Sequence, residues 1–428
     1  MQAVADLHMH SKYAAATSHT MDLDGLVDGA KVKGIDVLGS ADFLHPIWQE
    51  ELKQRLSDIG GIYEYKGIRF VLTGEISLIY TQGGRGRRVH HILMVPNFGT
   101  LDQVTEFFKK KGRVDYDGRP IFGFSSIELV EALMAISKDI EIIPAHAWTP
   151  WFSVFGSMSG FDSLKECFGE YVKHIHAIET GLSSDPPMNW RLSKLDDVVL
   201  VSNSDAHSTQ PHRLGREVNV FDLKDVTYDA IVNAIRTRHG FAYTVEVDPN
   251  YGKYHYDGHR TCNFSCPPEE TRKLGGICPV CKRKLTIGVL NRVEQLADRP
   301  LGFKPRNAVE YKSLLPLMEV LAHSQGTSVA SKKIAEQFGK ISERFGSEFH
   351  VLLDVPEDEL KRVVPEHVAA AILKNRSGNV KIVPGYDGVY GVPQFDGAPP
   401  RKVRQATKKT GASANGEGKQ TGLQGFSK

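Results

Sequence analysis

Cysteine is scarce in this chain, five in 428 residues, and four of the five fall between positions 262 and 281. That clustering excludes a disulfide framework holding the whole fold together, the usual device of small secreted proteins. Long hydrophobic runs are also missing: no stretch approaches the roughly 20 apolar residues that a membrane span requires. The first residues run directly into a strand-like segment, with no basic, apolar and small-residue leader. These two absences set the expectation of a cytoplasmic protein with no membrane partner. An excess of one charge is absent as well, since 53 Lys and Arg stand against 51 Asp and Glu, for a net charge of +2. The balance is uneven along the chain, because residues 401–428 hold seven basic residues against one acid. The basic excess therefore sits in the tail. With 41% hydrophobic and 24% charged residues, the chain is long enough for one large domain and at least one smaller one.

Histidines and carboxylates at the ends of apolar runs are what the first half does have. Ala3-Val4-Ala5-Asp6-Leu7-His8-Met9-His10 reads as a strand in which residues two apart face the same way, so both imidazoles can reach one ion. Phe70 to Gly74 is a second apolar run, and it ends on Glu75, a carboxylate whose two oxygens can bridge two cations. His90 and His91 lie within Val89–Val95, and His146 follows Ile140–Ala145. Val198–Ser204 leads into Asp205 and His207, a second pair at i, i+2. Asp42 follows a further short run. Any one of these could be a structural hydrogen-bonding group or a cap. Jointly, imidazoles and carboxylates recurring at strand ends form a ligand set for zinc or manganese. The hydrophobic run after it favours His91 over His90 as the ligand, and Glu179 is a strand-end acid suited to orienting a ligand from behind.

Clustered divalent cations lower the pKa of a water and clamp the oxygens of a phosphoester, so no protein nucleophile is required, and none is evident. Arg85, Arg87 and Arg88, in the Gly-rich loop before His90, are candidates for contact with a negatively charged substrate, or else a solvated hairpin tip.

The cysteine cluster is the second signal. Cys262-x3-Cys266 and Cys278-x2-Cys281 have the spacing of two knuckles folded around one tetrahedral structural zinc. Four thiolates leave no open position, so this ion organises the fold. Tyr251, Lys253, Tyr254, His255, Tyr256, His259 and Arg260 precede the knuckles, and Arg272, Lys273, Lys282, Arg283 and Lys284 lie among or after them. Aromatics interleaved with cations suit nucleic acid, and equally a charged, soluble surface. Further on, Tyr311–Glu319, Lys332–Phe345 and Glu357–Asn375 have helical apolar spacing, and Val380–Tyr386 reads as strand and turn. After about Phe395 periodicity is lost, which predicts disorder. Near its end, Gln420, Leu423 and Phe426 stand at the spacing of short peptides that dock on DNA sliding clamps.

The order His-x-His, Glu after Gly, His, His, Asp-x-His resembles the PHP (polymerase and histidinol phosphatase) superfamily over about the first 245 residues. The resemblance implies an α/β fold, a distorted barrel of seven βα units whose rim holds two or three divalent metals (Zn, Mn or Mg). His8, His10, Glu75 and Asp205 would hold one ion, and Glu75 would bridge to a second on His91 and His146. A third would lie near His207, with Asp42 or His45 standing in for the family's missing histidine and His19 or Asp22 able to supply the other arm. Asp205, Glu75 and His146 would carry catalysis. One departure is plain: where many members have a histidine after Thr-Asp, this chain has Phe43.

Taken with the zinc knuckles, Gly156–Ser163 and the stretch from Val247 through Cys281, the chain resembles the endonuclease Q family. That implies four parts: residues 1–245 as the metal-dependent phosphoesterase domain, 246–300 as the zinc module, 301–395 as a mainly helical domain, and 396–428 as a basic tail. It implies an endonuclease, nucleoid-associated, that cuts single- or double-stranded DNA on the 5′ side of deaminated bases (uracil, hypoxanthine, xanthine) and abasic sites. Telling uracil from cytosine requires taking the base out of the stack. The expected pocket lies beside His146, from Trp148, Trp151, Ser157, Ser159 and Tyr254. The alternatives are a small-molecule phosphatase of the histidinol-phosphate type and a non-catalytic DNA-binding scaffold.

Overall fold

The structure, a computed structural model, describes residues 1–396. Seven strands position the site: β1 (Gln2–Asp6), β2 (Val37–Gly39), β3 (Ile68–Gln82), β4 (Arg85–Val95), β5 (Glu141–Pro144), β6 (Ala177–Glu179) and β7 (Val199–Val201). β2, β5 and β6 are short and wholly buried, as strands covered on both faces must be, whereas β3 and β4 run on into a longer hairpin whose tip is exposed. β1 pairs in parallel with β2, and β2 with β3. The chain then reverses, so β4 is antiparallel to β3 and to β5, while β6 and β7 form a separate parallel pair. Single contacts span the remaining gaps: the Ala147 N–H donates to the Glu179 carbonyl at 2.9 Å, and Met9 bridges Ala206 in parallel. The result is an α/β fold with mixed strand directions, in which the β3–β4 hairpin interrupts the strand–helix alternation expected of seven βα units.

The helix Leu23–Lys33 shows how local chemistry sets element ends. Asp22 caps it by accepting from the Gly25 N–H, acid lies in its first turn and base in its last, and Gly34 closes it at φ 84°. On the far edge of β1, Val218–Asp222 pairs antiparallel, followed by Phe241–Glu246 and then Glu310–Ser313.

That last strand corrects the helix expected over Tyr311–Glu319. Residues Glu310–Ser313 pair with Phe241–Glu246, and the helix begins only at Leu317, after Pro316 has set the extended backbone at its start. Lys332–Phe345 is the helix its spacing predicts. The expected single helix over Glu357–Asn375 is two, Glu357–Val363 and Glu366–Arg376, split where Val364 is held extended by Pro365. This helical bundle docks on the first domain through the buried ion pair of Lys33 Nζ and Glu348 Oε1, at 2.7 Å.

The cysteine-bearing segment is anchored differently. The Arg292 guanidinium donates to the carbonyls of Phe155 and Phe161, and Ser157 Oγ donates to the Ile287 carbonyl. A final hairpin, Lys381–Val383 with Val392–Gln394, returns to the segment that follows Phe241–Glu246: Gly385, Gly388 and Gly391 donate their N–H groups to the carbonyls of Asn250, Lys253 and Tyr251. Glycine is required at Gly391, where a Cβ would sit 2.0 Å from the Asn250 carbonyl oxygen. Among the described residues no helix is long and apolar enough to cross a membrane.

Candidate active site

His8 and His10 lie just beyond the end of β1, and their side chains converge on carboxylates from two other strands. Glu75 Oε2 is 3.2 Å from His10 Nε2 and 3.7 Å from His8 Nε2, while Asp205 Oδ1 is 3.2 Å and 3.8 Å from the same atoms. The far nitrogens are held from behind. His8 Nδ1 faces Glu179 Oε1 at 3.0 Å, and His10 Nδ1 faces Asp42 Oδ1 at 3.0 Å. Glu179 also accepts from the His146 N–H and the Asn203 amide. Such partners fix the ring orientation and leave Nε2 as the free donor.

In this cluster three buried atoms have no hydrogen-bond partner among the described residues: His8 Nε2, His10 Nε2 and Asp205 Oδ1. Stranding one buried polar atom is costly, and three facing one another fit a divalent cation. Ligand atoms form three sets with all members within 4.8 Å of one another: His8, His10 and Glu75; His10, Asp205 and His207; Glu75, His90 and His146. Glu75 is shared by the first and third, which is the bridging role its two oxygens permit.

Two expected ligands are placed otherwise. His91 is turned away: its Nε2 lies 2.9 Å from Ser126 Oγ, and its ring packs on Phe168. Strand register decides this, because Glu75 is paired with Ile92, so His90 shares the face of Glu75 and His91 the opposite one. His90 Nδ1 accordingly lies 2.8 Å from Glu75 Oε1. Asp42 stands behind His10 and accepts from the N–H and hydroxyl of Ser11, so it orients a ligand and does not face the ion positions. Phe43 is fully buried and packs where a Cβ on Gly74 would touch it at 3.1 Å.

The charges agree with this division. Burial opposes ionisation of Glu75, but the Arg119 guanidinium and the imidazoles ranged around the carboxylate outweigh it and hold the carboxyl well below its usual range. Burial pulls His90 down to about 4, so its imidazole is neutral and able to ligate. Arg119, which no sequence pattern singles out, reaches Glu75 Oε2 at 3.0 Å.

A cavity of about 310 Å³ opens beside the cluster, lined by His90, His146, Trp151, Phe152, Tyr254 and Tyr390 among others. Trp151 and Tyr254 are therefore where a pocket needs them, edge to face at 6.0 Å. Trp148 is not: it is buried and donates Nε1–H to Asn189 Oδ1. Ser157 and Ser159 bond backbone carbonyls at Ile287 and Arg88, away from the cavity. Of the hairpin arginines, Arg87 is committed to Glu166 and the Phe161 ring, whereas Arg85 is exposed and Arg88 lies over Phe152. Tyr251 and His255, expected at a surface, are buried.

Around the cysteine cluster, Cys262, Cys278 and Cys281 gather with His259, all four ligand atoms lying within 4.8 Å of one another. Cys266 packs in the same cluster, with its Sγ 3.2 Å from Thr271 Oγ1. Asn263 and Lys282, directly after Cys262 and Cys281, both have positive φ, so His259-x2-Cys262 and Cys278-x2-Cys281 make matching turns. Gln420, Leu423 and Phe426 lie outside the described residues.

A carboxylate shared by two imidazole-rich clusters, at one end of an α/β fold, is the donor set of a divalent-metal site. Comparison with known proteins is more specific. The chain is 35% identical to the lesion-specific endonuclease PfuEndoQ of Pyrococcus furiosus, covering 92% of this chain and 96% of that one at a TM-score of 0.83. Against endonuclease Q in complex with a 27-mer duplex bearing an abasic lesion, identity is 34%, the covered shares are 92% and 97%, and the TM-score is 0.84. The chain belongs to the endonuclease Q family. A family model described as the MJ0043 C-terminal domain matches residues 316–379, the helical bundle. The uncharacterized protein MJ0043 of Methanocaldococcus jannaschii is 34% identical over 263 residues, which cover 60% of this chain but only 32% of that longer protein.

Proposed function

We propose that this chain is a DNA repair endonuclease that hydrolyses the phosphodiester on the 5′ side of a deaminated base or abasic site, leaving 3′-hydroxyl and 5′-phosphate ends. The observation that carries it is the convergence of three orphaned ligand atoms beside an aromatic-lined cavity, in a chain that aligns with lesion-specific endonuclease over almost its full length.

His8, His10, Glu75 and Asp205 would hold one divalent cation and Glu75, His90 and His146 a second, with His207 available to a third. Bound there, such cations supply an activated water and neutralise charge on the phosphoryl oxygens. The protein's own groups do the rest. Glu179 and Asp42 keep the imidazoles aimed, and Thr149 Oγ1, 3.2 Å from His146 Nδ1, steadies that ring. Arg119 places a permanent cation at the rim. Trp151, Phe152 and Tyr254 offer faces on which an unstacked base can lie, in a cavity whose volume suits one nucleoside. The small-molecule phosphatase reading has no observation in its favour.

We further propose the division into a phosphoesterase domain (1–245), a zinc module (246–300) and a helical domain (301–395), with Gln420, Leu423 and Phe426 as a clamp-docking segment. That segment rests on its sequence alone, and deleting residues 416–428 should abolish co-elution with a sliding clamp. For the main reading, labelled duplexes carrying one uracil, inosine or abasic site are incubated with protein and Mg²⁺, Mn²⁺ or Zn²⁺. Nicking confined to damaged strands, lost in Asp205→Ala with DNA binding kept, supports it; phosphate release from monoesters alone would overturn it.

A further inference from the structure

Tyr390, from the hairpin that closes the described chain, reaches the wall of the active-site cavity alongside Arg216 and Lys253. Its hydroxyl oxygen accepts from Arg213 Nη1 at 2.9 Å and from Arg216 Nη1 at 3.1 Å. Lys253 Nζ stands 4.7 Å from the ring centroid and the Arg213 guanidinium 5.0 Å. Three cations thus converge on one neutral phenol. Among the described residues none of them forms an ion pair with a carboxylate; Arg216 spends its Nε on the Ser204 carbonyl instead. Gathering three positive charges is unfavourable unless something negative is to join them.

The hydrogen-bond inventory points the same way. A phenolic oxygen offers two lone pairs and one proton, and guanidinium groups are donors only. Arg213 and Arg216 occupy both lone pairs, so the Tyr390 hydroxyl is left with its proton to give, and the described residues provide no acceptor for it. Nor do they provide one for Lys253 Nζ. The cluster therefore presents donors and positive charge to the cavity and no acceptor, which is the complement of a phosphate oxyanion.

We propose that Arg213, Arg216, Lys253 and Tyr390 form a subsite for a backbone phosphate of the DNA strand, adjacent to the phosphate that is cut. This rests on the reading of the substrate as DNA. It also gives the final hairpin a role in the active site: the close approach of Gly391 to Asn250 carries Tyr390 to the rim, so the site is assembled from both ends of the chain. The competing role is a structural knot that merely ties the hairpin down.

Counterion release separates the two, since each phosphate that the protein ceases to neutralise lowers the slope of log Kd against log salt by about one. Full-length protein and Arg213→Gln, Lys253→Gln and Tyr390→Phe variants are titrated with an abasic duplex at several KCl concentrations, alongside single-turnover nicking and melting curves. Expected are a Kd raised about fivefold or more at low salt in each variant, slopes flatter by about one for the two charge-removing changes only, and a smaller loss in the saturated rate. Tyr390→Phe keeps the ring and removes only the donor, so it reports on the hydroxyl even where a charge variant folds poorly. Unchanged slopes and Kd with a lowered melting temperature would overturn the subsite in favour of the knot. A wild type that binds the duplex without nicking it would instead count against the substrate reading, while the slopes still decide the subsite.

Discussion

Glu75 Oε1 stands 2.8 Å from His90 Nδ1, while the next residue, His91, is directed at Ser126 on the other side of the sheet. One step along β4 separates a metal-facing histidine from a core one. His90→Ala should therefore lower lesion nicking by about 100-fold or more and reduce the content of bound divalent metal. His91→Ala should keep its metal and lose about 1–3 kcal/mol of stability, through the void and the unpaired Ser126 hydroxyl it leaves. Elemental analysis and urea unfolding of both variants check the pair.

The ion pair of Lys33 and Glu348 joins the first domain to the helical bundle with both side chains buried, and Glu348 also accepts from the Leu317 N–H. Removing one partner leaves the other charge stranded. Glu348→Ala should cost about 3–5 kcal/mol, and Lys33→Met combined with Glu348→Leu should restore much of the loss. Chemical denaturation of the single and double variants measures it, and equal stability of the two would contradict the coupling.

Below the metal site, Glu246 is enclosed by the hydroxyls of Thr244, Thr180 and Ser202, and burial pushes its carboxyl up to about 8. Glu217 is raised too, by burial and then by Glu246 itself. A raised folded pKa means that the folded state binds the proton more tightly than the unfolded one. Its stabilisation is complete below the unfolded value of 4.5 and is lost as pH rises through about 8. The melting temperature should thus fall between pH 6 and pH 9, and Glu246→Gln should flatten that fall and gain about 1 kcal/mol or more at pH 9. Thermal melts across that range test the sign.

As a tetrahedral metal site, the cysteine cluster has five donors for four positions. The matched turns after Cys262 and Cys281 favour His259, Cys262, Cys278 and Cys281 as the set, with Cys266 held by Thr271. His259→Ala should lose the structural zinc and several degrees of melting temperature, whereas Cys266→Ser should retain one zinc per chain. Zinc retained by His259→Ala and lost by Cys266→Ser would reverse the assignment.

Much of the site is legible in the chain because short-range geometry writes it. His8 and His10 share a face by the period of an extended segment, and Glu75 and Asp205 follow short apolar runs, although β3 continues past Glu75 to Gln82. Glu179 is recognisable as an orienting acid for the same reason. The choice between His90 and His91 is not local, since it depends on which residue of β3 lies opposite. Asp42 fails as a ligand because its neighbour Ser11 turns it toward His10. Arg119, Arg216 and Tyr390 enter from loops and from the distant hairpin, where no periodicity points at a cavity. Residues Tyr311–Ser313 read as helix because a half-exposed strand on a sheet edge leaves a weak alternation.

The most direct test of the account is the position and metal dependence of a single cut. Protein stripped with a chelator and then reloaded with Mn²⁺ is given an end-labelled duplex with one abasic site, beside the same duplex undamaged. No incision is expected before reloading. After it, one incision should appear immediately 5′ of the lesion, with 3′-hydroxyl and 5′-phosphate ends and the undamaged duplex intact. Incision that survives metal removal, or that falls equally on undamaged DNA, would contradict it.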